Sequence, residues 1–297
     1  MPTLDLFDPL FSVAARACEN SAFATGLLRK FDFRGKRRIV QRIRRTKAGP
    51  EVLAICDGTR YRLDLKDDVQ REVYFRTYDL TDFHCALEAI PPGGTCLDLG
   101  ANVGEFALRF ANWVGPTGRV FAFEADPGVF SRLALNRDLN GLGCQLECIQ
   151  AAVSNVNRTV NFYGSGPEHS GWGSMVEFKD ISRSVSAVQA LTLDAFLAER
   201  GISKVDFLKI DVEAHEPEVL EGACESLRHH VFRFVLIEFN GFRLAQRGKS
   251  FEDFVAPLES AGYAATKLRL DEFNGIRSGQ LSPEKVCTNF LFTPQNR

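Results

Sequence analysis

Between Thr95 and Thr293, short apolar runs alternate with stretches whose apolar residues recur at helical spacing. The runs at 95–99, 119–124, 146–152, 205–210 and 232–239 predict strands, and 263–268 and 288–293 predict two more. Helices are predicted over 103–114, 128–139, 192–200, 217–229 and 251–261, with Pro217 placed where a first helical turn tolerates it. Strands without polar alternation imply burial on both faces, hence a mostly parallel sheet covered by helices. No helix is predicted between the last two strands, so they are expected to form an antiparallel pair. The polar, glycine-rich stretch 155–174 interrupts the alternation, with extra strands expected on either side. Upstream, alternation over 52–65 around Asp57-Gly58 predicts a β-hairpin, and 70–90 predicts a helix stopped by Pro91-Pro92-Gly93-Gly94. Residues 1–50 read as a helical, polar preamble. The pattern therefore divides into a helical and hairpin extension over 1–90 and an α/β domain over 91–297.

Composition narrows the class. The 297 residues are 45% hydrophobic and 25% charged, which is ordinary for a globular protein and supplies ample core. A net charge of −2 gives no overall field toward nucleic acid. One local asymmetry stands out: residues 29–47 hold ten bases against one acid, Asp32. It reads either as a solvated face or as a contact for an anionic partner, such as a membrane surface, nucleotide-sugar phosphates or an acidic glycan. Eight cysteines occur without a CxxC pair or zinc-finger spacing, so a reduced compartment is expected. Asp5 and Asp8 near the start, with no basic leader, argue against a signal peptide. No apolar run approaches the roughly 20 residues of a membrane span. A cytoplasmic protein is expected, of open oligomeric state.

The strongest chemical signal is Asp98-Leu99-Gly100-Ala101-Asn102-Val103-Gly104, which follows a strand and opens a helix. Gly100 permits a tight turn, and Gly104 allows close backbone approach to a ligand and helix-on-sheet packing. Glu124 ends the next strand, 20 residues after Gly104, where a carboxylate can accept hydrogen bonds from both ribose hydroxyls of a nucleoside. Asp126, two residues on, and Ala152, at the end of the third strand, complete the cofactor set. A dinucleotide loop wants three glycines around a pyrophosphate, but Asn102 holds the middle position. Asp98 would also repel a diphosphate, whereas it suits the cationic sulfonium of S-adenosyl-L-methionine. Methyl transfer is therefore preferred to an NAD-linked oxidoreductase. A Rossmann-like binding protein without catalysis is the third reading, and RNA methylation is disfavoured by the lack of a base-flipping motif.

These residues resemble the FkbM-type methyltransferase family over about residues 71–294. The likeness rests on 97–106 (LDLGANVGEF), 120–127 (VFAFEADP), 191–196 (LTLDAF) and above all 205–222 (VDFLKIDVEAHEPEVLEG). Lys209, Ile210, Asp211, Val212, Glu213 and Glu216 match the family's motif, while Ala214 replaces a glycine. If that glycine supplies a positive φ, the turn here is expected to differ. The resemblance implies a class I methyltransferase Rossmann-like sheet, mostly parallel with an antiparallel last strand. It also implies methyl transfer from S-adenosyl-L-methionine to a hydroxyl of a sugar, glycan or natural product.

A hydroxyl acceptor is helped by a base at the carboxyl ends of the strands, beside the donor. Asp211, Glu213, His215 and Glu238 are the candidates there. His215 has the fitting intrinsic pKa, although a turn histidine is as readily a cap or surface group. Asp211 with Glu238 could hold Mg²⁺ through carboxylates and water, or simply pair with Lys209 and loop arginines; the second reading is preferred, and no metal is assigned. On the acceptor side, the loop carrying His169 and Trp172 reads as a lid or stacking surface, or as a loop whose Trp plugs a gap. Asn240, after Glu238, is placed beside the acceptor by position alone.

Overall fold

The computed structural model describes residues 8–43, 51–78, 81–87 and 90–295. Asp5, and Arg44, Arg45 and Lys47 of the basic segment, lie outside the described residues. The chain forms two compact units, Met1–Asp79 with Gly166–Ser170, and Leu80–Ser165 with Gly171–Arg297.

The first unit holds α1 (Asp8–Asn20), α2 (Ala22–Lys30), α3 (Lys36–Val40), the hairpin β1 (Glu51–Cys56) and β2 (Thr59–Asp64), and α4 (Asp68–Phe75). Cys56 pairs with Thr59 across a two-residue turn. Asp57 and Gly58 take φ of 50° and 82°, the left-handed pair that such a hairpin turn demands. The continuous helix predicted over 70–90 is broken: Arg76, at φ 59°, ends α4, and a separate helix, α5 (Thr81–Leu87), follows in the second unit. Buried Arg71 ties the unit together, donating to the carbonyls of Val40, Leu65 and Lys66 at 3.0–3.2 Å.

In the second unit, β3 (Thr95–Leu99), α6 (Ala107–Val114), β4 (Arg119–Phe123), α7 (Pro127–Leu139) and β5 (Leu146–Ile149) open the main sheet. A three-stranded side sheet follows, made of β6 (Ala152–Val153), β7 (Arg158–Gly164) and β8 (Ser184–Leu191) in the order β6-β8-β7. Then come α8 (Leu193–Arg200), β9 (Phe207–Ile210), α9 (Glu216–Glu221), α10 (Cys224–Arg228), β10 (Val235–Asn240), α11 (Gly241–Gln246) and α12 (Phe251–Ser260). The chain ends with β11 (Tyr263–Ala265), α13 (Leu270–Arg277) and β12 (Cys287–Pro294). The seven-stranded sheet has the order β11-β12-β10-β9-β3-β4-β5. Strands β5, β4, β3, β9 and β10 run parallel, and β12 runs antiparallel to both β10 and β11.

Boundaries in this unit also differ from the sequence pattern. Helix α13 lies between β11 and β12, so the antiparallel pair stands but does not arise from a direct connection. Its Asn274-Gly275 pair weakens the helical signal, while Phe273 and Ile276 bury one face. The strand predicted over 146–152 ends at Ile149, and Ala152 belongs to the side sheet, paired with Ala190. The helix predicted over 217–229 breaks at Gly222, where a β-carbon would lie 2.0 Å from the Ser154 carbonyl oxygen. The first turns predicted for α6 are a loop, because Asn102 and Gly104 hold φ of 49° and 102°.

Candidate active site

The turn after β3 is shaped by what has no room for a side chain. A β-carbon on Gly100, at φ 75°, would lie 1.8 Å from the Asp211 carbonyl oxygen. Gly104 is required by packing: its missing β-carbon leaves space taken by Leu108 and Leu133 side chains. The amides of Gly100 and Ala101 both donate to the Phe123 carbonyl, locking the loop to the end of β4. Glu124 follows at once. One of its carboxylate oxygens accepts from the Asn102 amide and the other from the Asp126 amide, each at 2.9 Å. Burial pushes Glu124 up to about 7, against the amides that favour its charged form. Asp126 caps α7, its Oδ1 accepting from the amides of Gly128 and Val129.

Sheet register then builds a row of charge. Asp98 of β3 stands directly beside Lys209 of β9 in the parallel ladder, so both side chains leave the same face. Lys209 is buried, and its Nζ lies 3.3 Å from Asp98 Oδ1, 3.2 Å from Asp211 Oδ2 and 3.4 Å from the Gly100 carbonyl. The same ammonium lies 5.2 Å from the Phe106 ring centroid. Burial alone would lower the Lys209 pKa, but Asp211 and Asp98 outweigh it and hold it above the ordinary lysine value. Burial raises Asp98 in turn, with Lys209 working against the rise.

Beyond β9 the row continues. Asp211, Glu213 and Glu238 each bring a carboxylate oxygen within 4.8 Å of the others, a spacing that could also hold a metal ion. Burial, and after it the charge of Asp211, pushes both Glu213 and Glu238 well above the usual carboxylate range. Cys287, whose Sγ lies 3.9 Å from Glu238 Oε1, is pushed up to about 12 by burial and then by that neighbour.

The turn that presents Glu213 is held from below. Glu213 and Ala214 both lie in the left-handed region, at φ 53° and 67°. Ala214 thus adopts a positive φ of the kind that favours glycine. Buried Glu216 accepts from the amides of Val212 and Ala214 at 3.1 and 3.2 Å, and burial pushes it up to about 7. Arg247 donates to the Ala214 carbonyl and pairs with Glu218. Ser174 Oγ donates to the Glu213 carbonyl at 2.7 Å.

His215 is not part of the acidic group. It is buried, with Nε2 sharing a 2.9 Å hydrogen bond with Ser154 Oγ and Nδ1 3.4 Å from Glu218. Burial lowers it to about 4, so it is neutral at pH 7. Asn240 caps α11 through the Arg243 amide. His169 belongs to the first unit, its Nδ1 2.8 Å from Asp68 Oδ2, whereas Trp172 ends a short 3₁₀ turn and is 38% exposed. A cleft of about 340 Å³ lined by Phe239, Gly241, Leu244 and Phe251 lies on the Phe239 side of β10. Glu238 faces the other way, so this cleft is separate from the charged row. Lys209 pairs with Asp211, as the sequence reading preferred, while Ser174, Glu216 and Arg247 are the structurally decisive residues that motif reading alone leaves without a role. Lys209 is the more accessible in sequence, because Lys209, Asp211 and Glu213 alternate along one strand and its exit.

A seven-stranded α/β sheet of this order, with its last strand reversed, a glycine turn after its first strand and an acidic residue after its second, defines the class I methyltransferase fold. The model of the methyltransferase FkbM domain matches residues 98–265, more than half of the chain, and the chain belongs to that family. Similar proteins include the 2-O-methyltransferase NoeI of Sinorhizobium fredii, 27% identical over 50% of this chain and 64% of its own length. The hexuronic acid methyltransferase AglP of Haloferax volcanii is 27% identical over 59% and 66% of the two chains. The 31-O-demethyl-FK506 methyltransferase FkbM of Streptomyces tacrolimicus is 29% identical over 44% and 60%. The match thus spans less than two thirds of each of these relatives. Among solved structures, a TehB-like SAM-dependent methyltransferase from Corynebacterium glutamicum reaches a TM-score of 0.41 at 13% identity, over 76% of this chain and 94% of that one.

Proposed function

We propose that this chain transfers the methyl group of S-adenosyl-L-methionine to a hydroxyl oxygen of a sugar, glycan or natural-product acceptor. The observation that carries the reading is Glu124, whose two oxygens are oriented by the Asn102 and Asp126 amides beside a turn with no room for a β-carbon at Gly100. Two oriented oxygens suit the two ribose hydroxyls of a nucleoside, whereas Asp98, fully buried and paired with Lys209, acts through the Gly100 turn rather than by touching the donor. Bound there, the donor supplies an already activated methyl carbon. The remaining work is alignment and removal of the acceptor's proton.

Asp211 takes that proton. It is held by Lys209 at 3.2 Å and its side chain is 29% exposed, whereas burial and the charge of Asp211 push Glu213 and Glu238 upward, which favours a hydrogen-bond donor role toward acceptor oxygens. His215, neutral and turned to Ser154, braces the turn instead. The names of the relatives, which specify oxygen positions and a hexuronic acid, support an oxygenated acceptor of this kind.

Calorimetry with S-adenosylmethionine, its demethylated product and NAD tests the donor site. Binding of the demethylated product without any NAD response is expected; NAD binding alone would reject the reading. For the base, Asp211→Asn should lower kcat about a hundredfold to ten-thousandfold. His215→Ala should leave kcat within a few fold while lowering stability. An undiminished kcat in Asp211→Asn removes the base assignment, and loss of activity on chelation would make the trio a metal site instead.

A further inference from the structure

Helices α1 and α2 each bury one face, through Ala15 and Cys18 on α1 and Thr25 and Leu28 on α2. Their opposite faces should then be polar, and they are not. Leu10 and Val13 stand one turn apart on α1 and are 63% and 64% exposed. Phe23 and Leu27 stand one turn apart on α2, at 76% and 42%. The connection after α2 exposes Phe31 and Phe33 as well. Single exposed apolar residues are ordinary, but six large ones within 24 residues of one small unit are not.

The charge around them is mainly basic, with Glu19 and Asp32 the acids between Leu10 and Arg38. Arg16, Lys30, Arg34 and Arg38 are exposed among these apolar groups. Asp32 is paired with Lys36 at 2.8 Å. Lys30 Nζ lies 5.6 Å from the Phe31 ring centroid, so its stem and charge share the apolar patch. A second copy of the chain would bring the same basic rim against itself. Aromatic and aliphatic groups interleaved with bases match an anionic bilayer, where the rings enter the headgroup boundary and the cations meet phosphates.

We propose that α1, α2 and residues 31–34 form a contact surface for an anionic lipid bilayer. This assignment is independent of the methyl-transfer reading. The test is co-sedimentation of the full chain with vesicles of phosphatidylcholine alone or with equimolar phosphatidylglycerol, at low and high salt. Binding is expected only with phosphatidylglycerol, weakening as salt rises. Lys30→Gln with Arg34→Gln should weaken it about thirtyfold, from about 1 kcal/mol per basic residue at the surface. Phe23→Ser with Leu27→Ser should weaken it at least about tenfold, with the thermal midpoint and donor binding unchanged since both side chains are exposed. Absence of binding, equal binding to both vesicles, or retention by either variant overturns the proposal. So does a dimer in solution that the Phe23→Ser, Leu27→Ser protein no longer forms, which would assign the surface to a second copy. Any of these results with donor binding intact leaves the proposed function standing.

Discussion

Ala214 shows how far a single residue can depart from its preferred conformation when its surroundings fix it. A non-glycine residue in the left-handed region costs about 1–2 kcal/mol, and here Ala214 at φ 67° follows Glu213 at 53°. The strain is held by Glu216, which accepts from the amides of Val212 and Ala214, and by Arg247, which donates to the Ala214 carbonyl. Ala214→Gly should therefore stabilise the protein by about 0.5–1 kcal/mol, after the greater freedom glycine gives the unfolded chain. Urea denaturation measures it; a loss of stability would mean that the buried methyl contributes more by packing than it costs in strain. At this scale the sequence exposed the replacement but not its outcome. The brace comes from Arg247, 33 residues away, and such a contact has no local signature. His215 is the same lesson in reverse. Its intrinsic pKa made it the attractive base, yet burial against Ser154 removes its charge, and burial is a property of the fold rather than of the residue.

At the level of elements, strand register decides the chemistry. The ladder that sets Asp98 beside Lys209 also puts Asp211 two residues on, on the same face, so one buried ammonium serves carboxylates from two strands. Replacing it with an isosteric apolar chain tests this directly. Lys209→Met leaves the buried carboxylates without their counter-charge and should destabilise the protein by about 3–5 kcal/mol. It should also shift the acid limb of the kcat–pH profile to higher pH, a displacement that a merely structural lysine would not produce. Destabilisation with an unmoved limb would confine Lys209 to a structural role. Most strands and helices of the sheet were legible because apolar runs and helical periods survive in any buried α/β layer. What escaped were elements set by single backbone constraints. The helix stops at Gly222, where the Ser154 carbonyl leaves no room for a β-carbon, and α13 hides behind Asn274-Gly275. The small sheet claims Ala152 because its partner, Ala190, comes from a strand 38 residues later.

For the whole molecule, a net charge of −2 conceals a concentration of acids that folding collects at one edge of the sheet. Composition cannot show it, because Asp98, Glu124, Glu213, Glu216 and Glu238 converge only through sheet topology. Burial raises the pKa of all five, to about 7 for Glu124 and Glu216. A group raised in the folded state contributes stability that is present below its unfolded value and lost as pH rises through its folded value. For Glu124 and Glu216 that window runs from about 4.5 to about 7. His215 works oppositely: lowered to about 4, it adds stability as pH rises from there toward 6.5. One histidine against several carboxylates leaves the acids dominant, and above 6.5 nothing from His215 opposes them. The ligand-free protein should therefore have a higher thermal midpoint at pH 6 than at pH 8. Glu216→Gln should flatten that dependence, because a neutral amide has no proton to lose. Glu124→Gln should flatten it too while weakening donor binding, since an amide offers one acceptor oxygen where the ribose reading requires two. If the midpoint instead rose between pH 6 and 8, these acids would have to be charged in the folded protein. The donor role proposed for Glu213 and Glu238 on the acceptor side would then have to be abandoned.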